Sequence, residues 1–156
     1  MTVFDPSAFL DATTTEVNER LTPLPEQNPD SPDGLYSATI GAPSVKQGSR
    51  DDGTPWVSIK LTLKLDIPPS LQESLKYPSE YALIDNPFLD LTPAGTIDNA
   101  PGRNRAQKAY RDATGTNVAG QPFAWRMLEG QRIKVGIKHE LYQDAIQMRP
   151  VGPFKA

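Results

Sequence analysis

The clearest pattern in the chain is an alternation of apolar and polar residues between positions 55 and 67. Successive side chains of a β-strand point to opposite faces of a sheet, so the pattern predicts one long two-faced strand. One face is aliphatic and is expected to cover a core. The other face suits base stacking and phosphate binding, but also an ordinary solvated surface, because it carries Trp56, Ser58, Lys60, Thr62, Lys64 and Asp66.

Shorter patterns of the same kind predict four more strands. They cover residues 35–40, 81–91 (interrupted at Pro87), 132–141 and 145–151, and residues 142–144 are the expected turn between the last two. The best helical pattern is 103–114, where small apolar residues and Tyr110 form a stripe and Gly115 follows as a stop. Weaker helical segments are predicted at 4–10, 70–76 and 122–129, with a strand as the alternative for the last, and residues 43–54 are expected to be a polar loop.

This order of elements predicts a mainly-β fold. Five strands with a helix between the third and the fourth are typical of the OB-fold, a small Greek-key barrel. The binding face of that barrel is usually built on strands two and three, together with the loops that join strands 1–2 and 4–5. Here the second strand carries Trp56, Lys60 and Lys64, and the 1–2 loop carries Lys46 and Arg50.

Charge divides the chain into an acidic start and a basic end. Residues 1–33 hold one base and seven acids, a net charge of −6, whereas residues 99–156 hold ten bases and four acids, a net charge of +6. We therefore predict an acidic, proline-rich arm over residues 1–33 and an OB-fold-like domain over residues 34–156. Within the arm, Asp5 and Pro6 favour the start of a short helix, and residues 12–34 are interpreted as an extended or mobile linker.

The sequence offers little catalytic chemistry. It has no cysteine, and its single histidine, His139, falls on the inward face of a predicted strand, which favours a structural role. No phosphate-binding glycine loop is present. A divalent ion could gather Asp85, Asp90 and Asp98, but capping and turn formation explain these carboxylates more simply. We predict a protein that is not an enzyme and that needs neither a cofactor nor a metal.

Basic and aromatic residues are the more informative group. Stacked bases and salt-sensitive phosphate contacts together hold single strands on proteins without sequence preference. The expected stacking residues are Trp56, Tyr81 and Phe88, and Phe123 and Trp125 are weaker candidates because they are expected to be at least half buried. The expected phosphate contacts are Lys46, Arg50, Lys60, Lys64, Arg132, Lys134 and Lys138.

Several runs of the chain resemble a known group of proteins. They are IDNAPGRNRAQKAYRDATG at 97–115 and GQPFAWRMLEGQRIKVGIKHELYQD at 120–144, with support from residues 4–16 and 89–99. Together they resemble small single-stranded DNA-binding proteins of tailed-phage replication and recombination modules. The resemblance implies an OB-fold that coats single strands during phage DNA replication in the cytoplasm of a bacterial host. It does not assign individual binding side chains.

One departure concerns the acidic tail with which many single-strand binders recruit partners. Residues 151–156 contain no acid, so the corresponding acidic segment here is N-terminal. We expect this arm to recruit phage replication proteins or to compete with DNA for the basic face. In the second case, deleting residues 1–33 should raise DNA affinity at low salt.

Two other classes remain open at this stage. One is a phage protein-interaction module, such as a host-factor inhibitor or a virion accessory protein, which would present the same sheet to a protein. The other is a magnesium-dependent nuclease that uses the three aspartates. A homodimer is compatible with exposed strand edges. No apolar run approaches the length of a membrane span, so a soluble cytosolic protein is expected.

Overall fold

The computed structural model describes residues 4–156 and is mainly β. Residues 1–3, the start of the predicted arm, lie outside the described residues. The strands are β1 (Tyr36–Ile40), β2 (Ser44–Ser49), β3 (Pro55–Asp66), β4 (Glu80–Asp85), β5 (Arg132–Tyr142) and β6 (Ala145–Lys155). The helices are α1 (Pro69–Leu75) and α2 (Arg105–Thr114), with short 3₁₀ turns at Pro6–Leu10 and Trp125–Leu128.

All strand pairs are antiparallel, and β3 is at the centre of the pairing. Both β1 and β2 bind one edge of β3, and β4 binds the other edge. Strand β5 pairs with the free edge of β1, and β6 pairs with β5. Strands β4 and β6 approach each other but form no strand pair, so the sheet stays open at this seam.

The mainly-β prediction is confirmed, but the structure has six strands where five were predicted. The additional strand is β2, which lies inside the segment predicted as a polar loop. Its side chains are mostly exposed, so it lacks the apolar alternation from which the other strands were predicted. The backbone pairing with β3 makes it a strand.

The core lies on the aliphatic side of β3, which we call the inner face. Ile59, Leu61, Leu63 and Leu65 are buried there, as the alternation predicted. Alternate residues of β1 and β5 complete this layer, and α2 covers it with Tyr110 and Ala113. Burial of such side chains is the main stabilising term of a domain of this size.

Helix α2 begins later than predicted because Asn104 is not helical. Its φ of 49° lies in the left-handed region, so the helix starts at Arg105 rather than at 103. The predicted stop is confirmed, since Gly115 adopts a φ of 72° and its N–H donates to the carbonyls at the end of the helix. The helix predicted at 122–129 shortens to one 3₁₀ turn.

Of the two interpretations of residues 12–34, an extended or a mobile linker, the mobile alternative is wrong for residues 22–28, an extended segment that we call the strap. Leu24 of the strap is fully buried in the core. The Tyr36 hydroxyl donates to the Pro25 carbonyl at 2.8 Å, and the Tyr77 hydroxyl donates to the Thr22 carbonyl at 2.6 Å. Tyrosine hydroxyls of the β-sheet domain therefore donate hydrogen bonds to backbone carbonyls of the extended strap. No periodicity in the sequence reveals these hydrogen bonds.

The predicted short helix of the arm is present as a 3₁₀ turn. Asp5 is its N-cap and accepts a hydrogen bond from the Ser7 N–H at 3.0 Å, with Pro6 at the first position. The turn does not pack on the body, because Phe4, Phe9 and Leu10 are 74, 66 and 87% exposed. The acidic arm therefore carries an exposed apolar element at its outer end.

Candidate nucleic-acid interface

The polar side of β3, which we call the outer face, continues onto the neighbouring strands. Residues opposite each other in an antiparallel pair share a face of the sheet. The register therefore places Ser44, Lys46 and Gly48 of β2 on this face, opposite Lys60, Ser58 and Trp56 of β3. On β4, Ile84 lies opposite Thr62. The outer face is thus a surface of three strands rather than a single row of side chains.

Trp56 and Phe88 form an aromatic pair at one end of the outer face. Their ring centroids are 5.5 Å apart with an interplanar angle of 73°, an edge-to-face contact. Phe88 is 62% exposed and lies beside β3 because the chain after β4 stays hydrogen-bonded to β3 through Pro87 and Leu89. The pair leaves aromatic surface accessible to a flat ligand.

Gly48 gives the indole its place on the sheet. It lies directly opposite Trp56, and a Cβ built at Gly48 would approach the indole ring to 2.5 Å. The ring therefore lies across the backbone of β2. This role could not be recognised without the strand register, although a glycine inside a strand often marks such a close approach.

Four basic residues lie along the outer face or in the turn at its end, and we call them the open basic cluster: Lys46, Arg50, Lys60 and Lys64. Among residues 4–156, no carboxylate lies within 4.0 Å of their charged groups. The guanidinium of Arg50, in the turn between β2 and β3, donates one long hydrogen bond of 3.4 Å, to the Pro55 carbonyl. The cluster is a source of positive charge that remains available to an anion.

Arg132 and Lys134 extend the outer face through β1 and β5, but acids of the protein already pair with them. Arg132 donates to Asp66 at 2.6 Å and to the Thr39 hydroxyl at 2.7 Å. Lys134 donates to Asp33 at 2.9 Å. Of the seven predicted phosphate contacts, four thus belong to the open basic cluster and two are neutralised by carboxylates.

Asp33 has a markedly acidic side chain. Hydrogen bonds from the Ser31 hydroxyl, the Leu35 N–H and the Lys134 ammonium lower the pKa of Asp33 well below its usual value. The carboxylate is therefore charged across the physiological range. This acid belongs to the segment predicted as the acidic arm, so part of that segment already contacts the predicted DNA-binding face.

The structure does not bring Lys138 and Tyr81 to the open basic cluster. Lys138 is exposed, but it lies opposite Arg149 of β6, beyond the part of β5 that pairs with β1. Tyr81 lies opposite Leu65, on the inner face, where its ring packs edge-to-face on Tyr77 at 5.1 Å. Because successive side chains of a strand point to opposite faces, Tyr81 would lie on the outer face with Trp56 only if its position were shifted by one residue.

The two weaker aromatic candidates are also held inside the protein. Trp125 is 8% exposed and packs against Tyr110 and Phe123. Phe123 is half-buried, and the Arg111 guanidinium covers its ring at 5.1 Å from the centroid. The accessible aromatic pair on the sheet is therefore Trp56 and Phe88.

Protein groups already bind the three candidate metal-binding aspartates, and Asp90 and Asp98 share Arg103. Asp85 accepts a 2.6 Å hydrogen bond from Tyr110, whose hydroxyl pKa is raised by burial and then by this carboxylate. Asp90 accepts from the Asn104 N–H at 2.7 Å, and Asp98 pairs with Arg103 at 3.2 Å. Within residues 4–156, no three His, Cys, Asp or Glu side chains form a group that could hold a metal ion.

His139 has the structural role that its position predicted. Its Nε2 lies 2.6 Å from the Leu24 carbonyl, and its backbone N–H donates to Glu26 at 2.9 Å. Both contacts connect β5 to the strap, because Leu24 and Glu26 belong to it. Because Nε2 faces a carbonyl oxygen, that nitrogen carries a proton.

Comparison with known proteins gives no family assignment. The sequence matches no model of a known protein family and no curated protein. The described part of the chain, residues 4–156, also contains no helix of the length and apolar character needed to cross a membrane.

Proposed function

We propose that this protein is a sequence-tolerant single-stranded DNA-binding protein of the OB type, without enzymatic activity, that acts in phage replication or recombination. Strand connectivity supports the fold assignment. Ile40 of β1 and Ser44 of β2 are four positions apart, whereas their partners on β3, Leu63 and Lys60, are only three positions apart. Strands β1 and β2 are therefore one bent strand with an extra residue at the bend. Counted this way, five strands remain, with α2 between the third and the fourth.

The observation that carries the proposal is the accessible Trp56–Phe88 pair beside the open basic cluster. Aromatic rings can stack on any base, and lysines and arginines hold the backbone, so the arrangement binds single strands with little sequence preference. Both features lie on β3, the second strand when β1 and β2 are counted as one, and on its neighbours, and OB-folds bind oligonucleotides at the corresponding strands.

The charge distribution supports binding that depends strongly on salt. The whole chain has a net charge of −3, so long-range attraction to DNA is weak and local contacts must supply the affinity. Each phosphate neutralised by the open basic cluster releases counterions, and for single strands the logarithmic salt slope is about −0.7 per contact. Four such contacts would give a slope of roughly −3.

Intrinsic tryptophan fluorescence tests this function. The protein is titrated with an unstructured oligo-dT at low and at moderate salt. We expect quenching, with an affinity that falls as salt rises, because Trp56 stacks on a base while Trp125 stays buried. The Trp56→Phe variant is the control, and it should bind with little quenching. Absence of binding at low salt, measured also with a labelled oligonucleotide, would reject the function.

A second candidate function is a protein-interaction module, and the arm favours it. Phe4, Phe9 and Leu10 are exposed on a capped turn, and the arm around them is acidic. In this proposal the arm recruits replication proteins of the phage, or the module inhibits a host factor or serves as a virion accessory protein. Unchanged DNA binding after removal of residues 1–20, with loss of a partner interaction, would assign the arm to recruitment alone.

A further inference from the structure

A pocket of about 420 Å³ opens at the end of the sheet where β3 begins. It lies between two segments, the turn at residues 50–54 and the loop at residues 89–95. Pro55 and Leu89 in its wall immediately neighbour Trp56 and Phe88 in the chain, but point to the other side of the sheet. The pocket therefore begins within one residue of the aromatic pair, around the end of β3.

Both walls of the pocket are closed by their own hydrogen bonds. The Arg50 N–H donates to the Thr54 carbonyl at 2.8 Å, and the Thr92 N–H donates to the Thr96 carbonyl at 2.8 Å. The hydroxyls of Thr92 and Thr96 are also 2.7 Å apart. Such walls need little rearrangement to receive a ligand, and the volume falls within the range of about 300–1,000 Å³ typical of small-molecule sites.

The lining combines apolar surface with cationic groups. Leu89, Leu91, Pro55 and Pro93 provide flat apolar walls. Two arginines line the pocket: Arg50, which belongs to the open basic cluster, and Arg103, whose guanidinium is shared between Asp98 at 3.2 Å and Asp90 at 3.7 Å. Of the two, Arg50 is the one with no carboxylate of residues 4–156 within 4.0 Å, so it is the better partner for a phosphate, while Asp90 offers an acceptor to a donor on a ring.

We propose that this pocket binds one nucleotide, with the base between the apolar walls and the phosphate on Arg50. The ligand is either the next unit of a strand stacked on Trp56 and Phe88 or a free mononucleotide of the same chemistry. The first form rests on the proposed function. It extends the binding path from the outer face around the end of β3.

Filling the pocket tests this inference. Thr54 lines the pocket and is exposed, so Thr54→Phe should occupy the space without disturbing the core. Thr54→Val is the matched control, because it removes the hydroxyl but keeps the size. The full-length variants are titrated with labelled oligo-dT, and dTMP binding is measured separately by NMR; thermal unfolding checks that both variants are folded.

We expect Thr54→Phe to weaken oligo-dT binding by at least about fivefold, the lower range of one base contact, while Thr54→Val stays close to the wild type. If Thr54→Phe loses dTMP binding and Thr54→Val keeps it, the pocket would be assigned to free nucleotides as well. If the wild type binds oligo-dT and Thr54→Phe changes neither ligand, the pocket proposal is rejected and the proposed function stands. If the wild type binds no oligo-dT, the function fails, and only dTMP binding that Thr54→Phe abolishes would preserve the pocket.

Discussion

Asn104 joins two segments that the sequence keeps apart. Its side chain accepts from the Asp90 N–H at 2.8 Å and donates to the carbonyls of Asp90 and Asp98 at 3.0 and 2.8 Å. Asn104 is almost fully buried, and its left-handed backbone suits asparagine better than most residues. It therefore fixes the loop that carries one wall of the pocket to the start of α2.

Replacing Asn104 should separate the contribution of its backbone from that of its side chain. We expect Asn104→Ala to lower the free energy of unfolding by about 2–4 kcal/mol, since it leaves buried polar groups unpaired and since alanine tolerates the left-handed conformation less well than asparagine does. Asn104→Gly should recover about 1 kcal/mol of this loss, because glycine removes only the conformational penalty. Urea unfolding measures both. Equal losses would mean that the conformation contributes nothing.

Asp33 should make stability depend on acid pH. Its folded pKa is lowered, so the unfolded chain binds a proton first as pH falls, and the contribution is present above the unfolded pKa of about 4 and lost below it. We expect Asp33→Asn to flatten the decrease of unfolding free energy between about pH 5 and pH 2. Urea unfolding at several pH values checks this, with Asp51→Asn, an exposed turn residue, as the control. An unchanged pH profile would contradict the assignment.

At the scale of the element, β2 acts through its backbone and through the absence of a side chain at Gly48. The indole of Trp56 occupies the place that a Cβ would take. We expect Gly48→Ala to displace the ring, to break its edge-to-face contact with Phe88, and to weaken single-strand binding by about 1 kcal/mol or more. Tryptophan emission and an oligo-dT titration measure these effects. Gln47→Ala on the same strand should leave both unchanged.

Strand β3 carries both kinds of DNA contact that we propose, and salt should distinguish them. We expect Trp56→Ala to cost about 1–3 kcal/mol of binding at every salt concentration, because stacking is not screened. Lys60→Ala should cost less as salt rises and should make the salt slope shallower by about 0.7, because one phosphate contact is lost. Fluorescence anisotropy with labelled oligo-dT at several salt concentrations measures both.

The control for this comparison is a lysine away from the sheet. Lys108 is exposed on α2 and pairs with Asp112 at 2.7 Å, so Lys108→Ala should leave the affinity and the salt slope unchanged. Equal losses from Trp56→Ala and Lys60→Ala at all salt concentrations would contradict a stacking role for Trp56.

At the scale of the whole molecule, the N-terminal region is divided structurally near residue 21. Residues 4–20 are exposed, whereas the strap places Leu24 in the core. We expect removal of residues 1–20 to leave the free energy of unfolding within about 1 kcal/mol of the intact protein. Removal of residues 1–28 should cost more than about 3 kcal/mol, since loss of a buried leucine alone costs about 2–5 kcal/mol. Urea unfolding of the two truncated proteins tests this, and equal midpoints would contradict it.

This division also changes the experiment on the acidic arm. Deleting residues 1–33 would remove the strap and the Asp33–Lys134 ion pair together, so a change in DNA affinity would have several causes. Deleting residues 1–20 isolates the exposed acids. A rise in affinity at low salt would then support competition between the arm and DNA.

The sequence predicted those parts of the fold in which buried apolar side chains alternate with polar side chains. The core of β3 and the inner face of β5 follow directly from their apolar positions. Strand β2 and the strap were missed because backbone or hydroxyl hydrogen bonds hold them, and these leave no periodic trace. Trp56 and Phe88 were both named as candidates, but only the register shows that they touch while Tyr81 lies on the opposite face.

The strap has a consequence for the order in which the protein can be completed during synthesis. Residues near position 24 leave the ribosome early, yet the Leu24 N–H binds the Met148 sulfur, 124 positions later, and the Leu24 carbonyl contacts His139, 115 positions later. Contacts of such long sequence separation form slowly because a large loop must close first. Leu24 is therefore translated long before Met148 and His139, and the nascent chain cannot complete these two contacts until β5 and β6 have been synthesised.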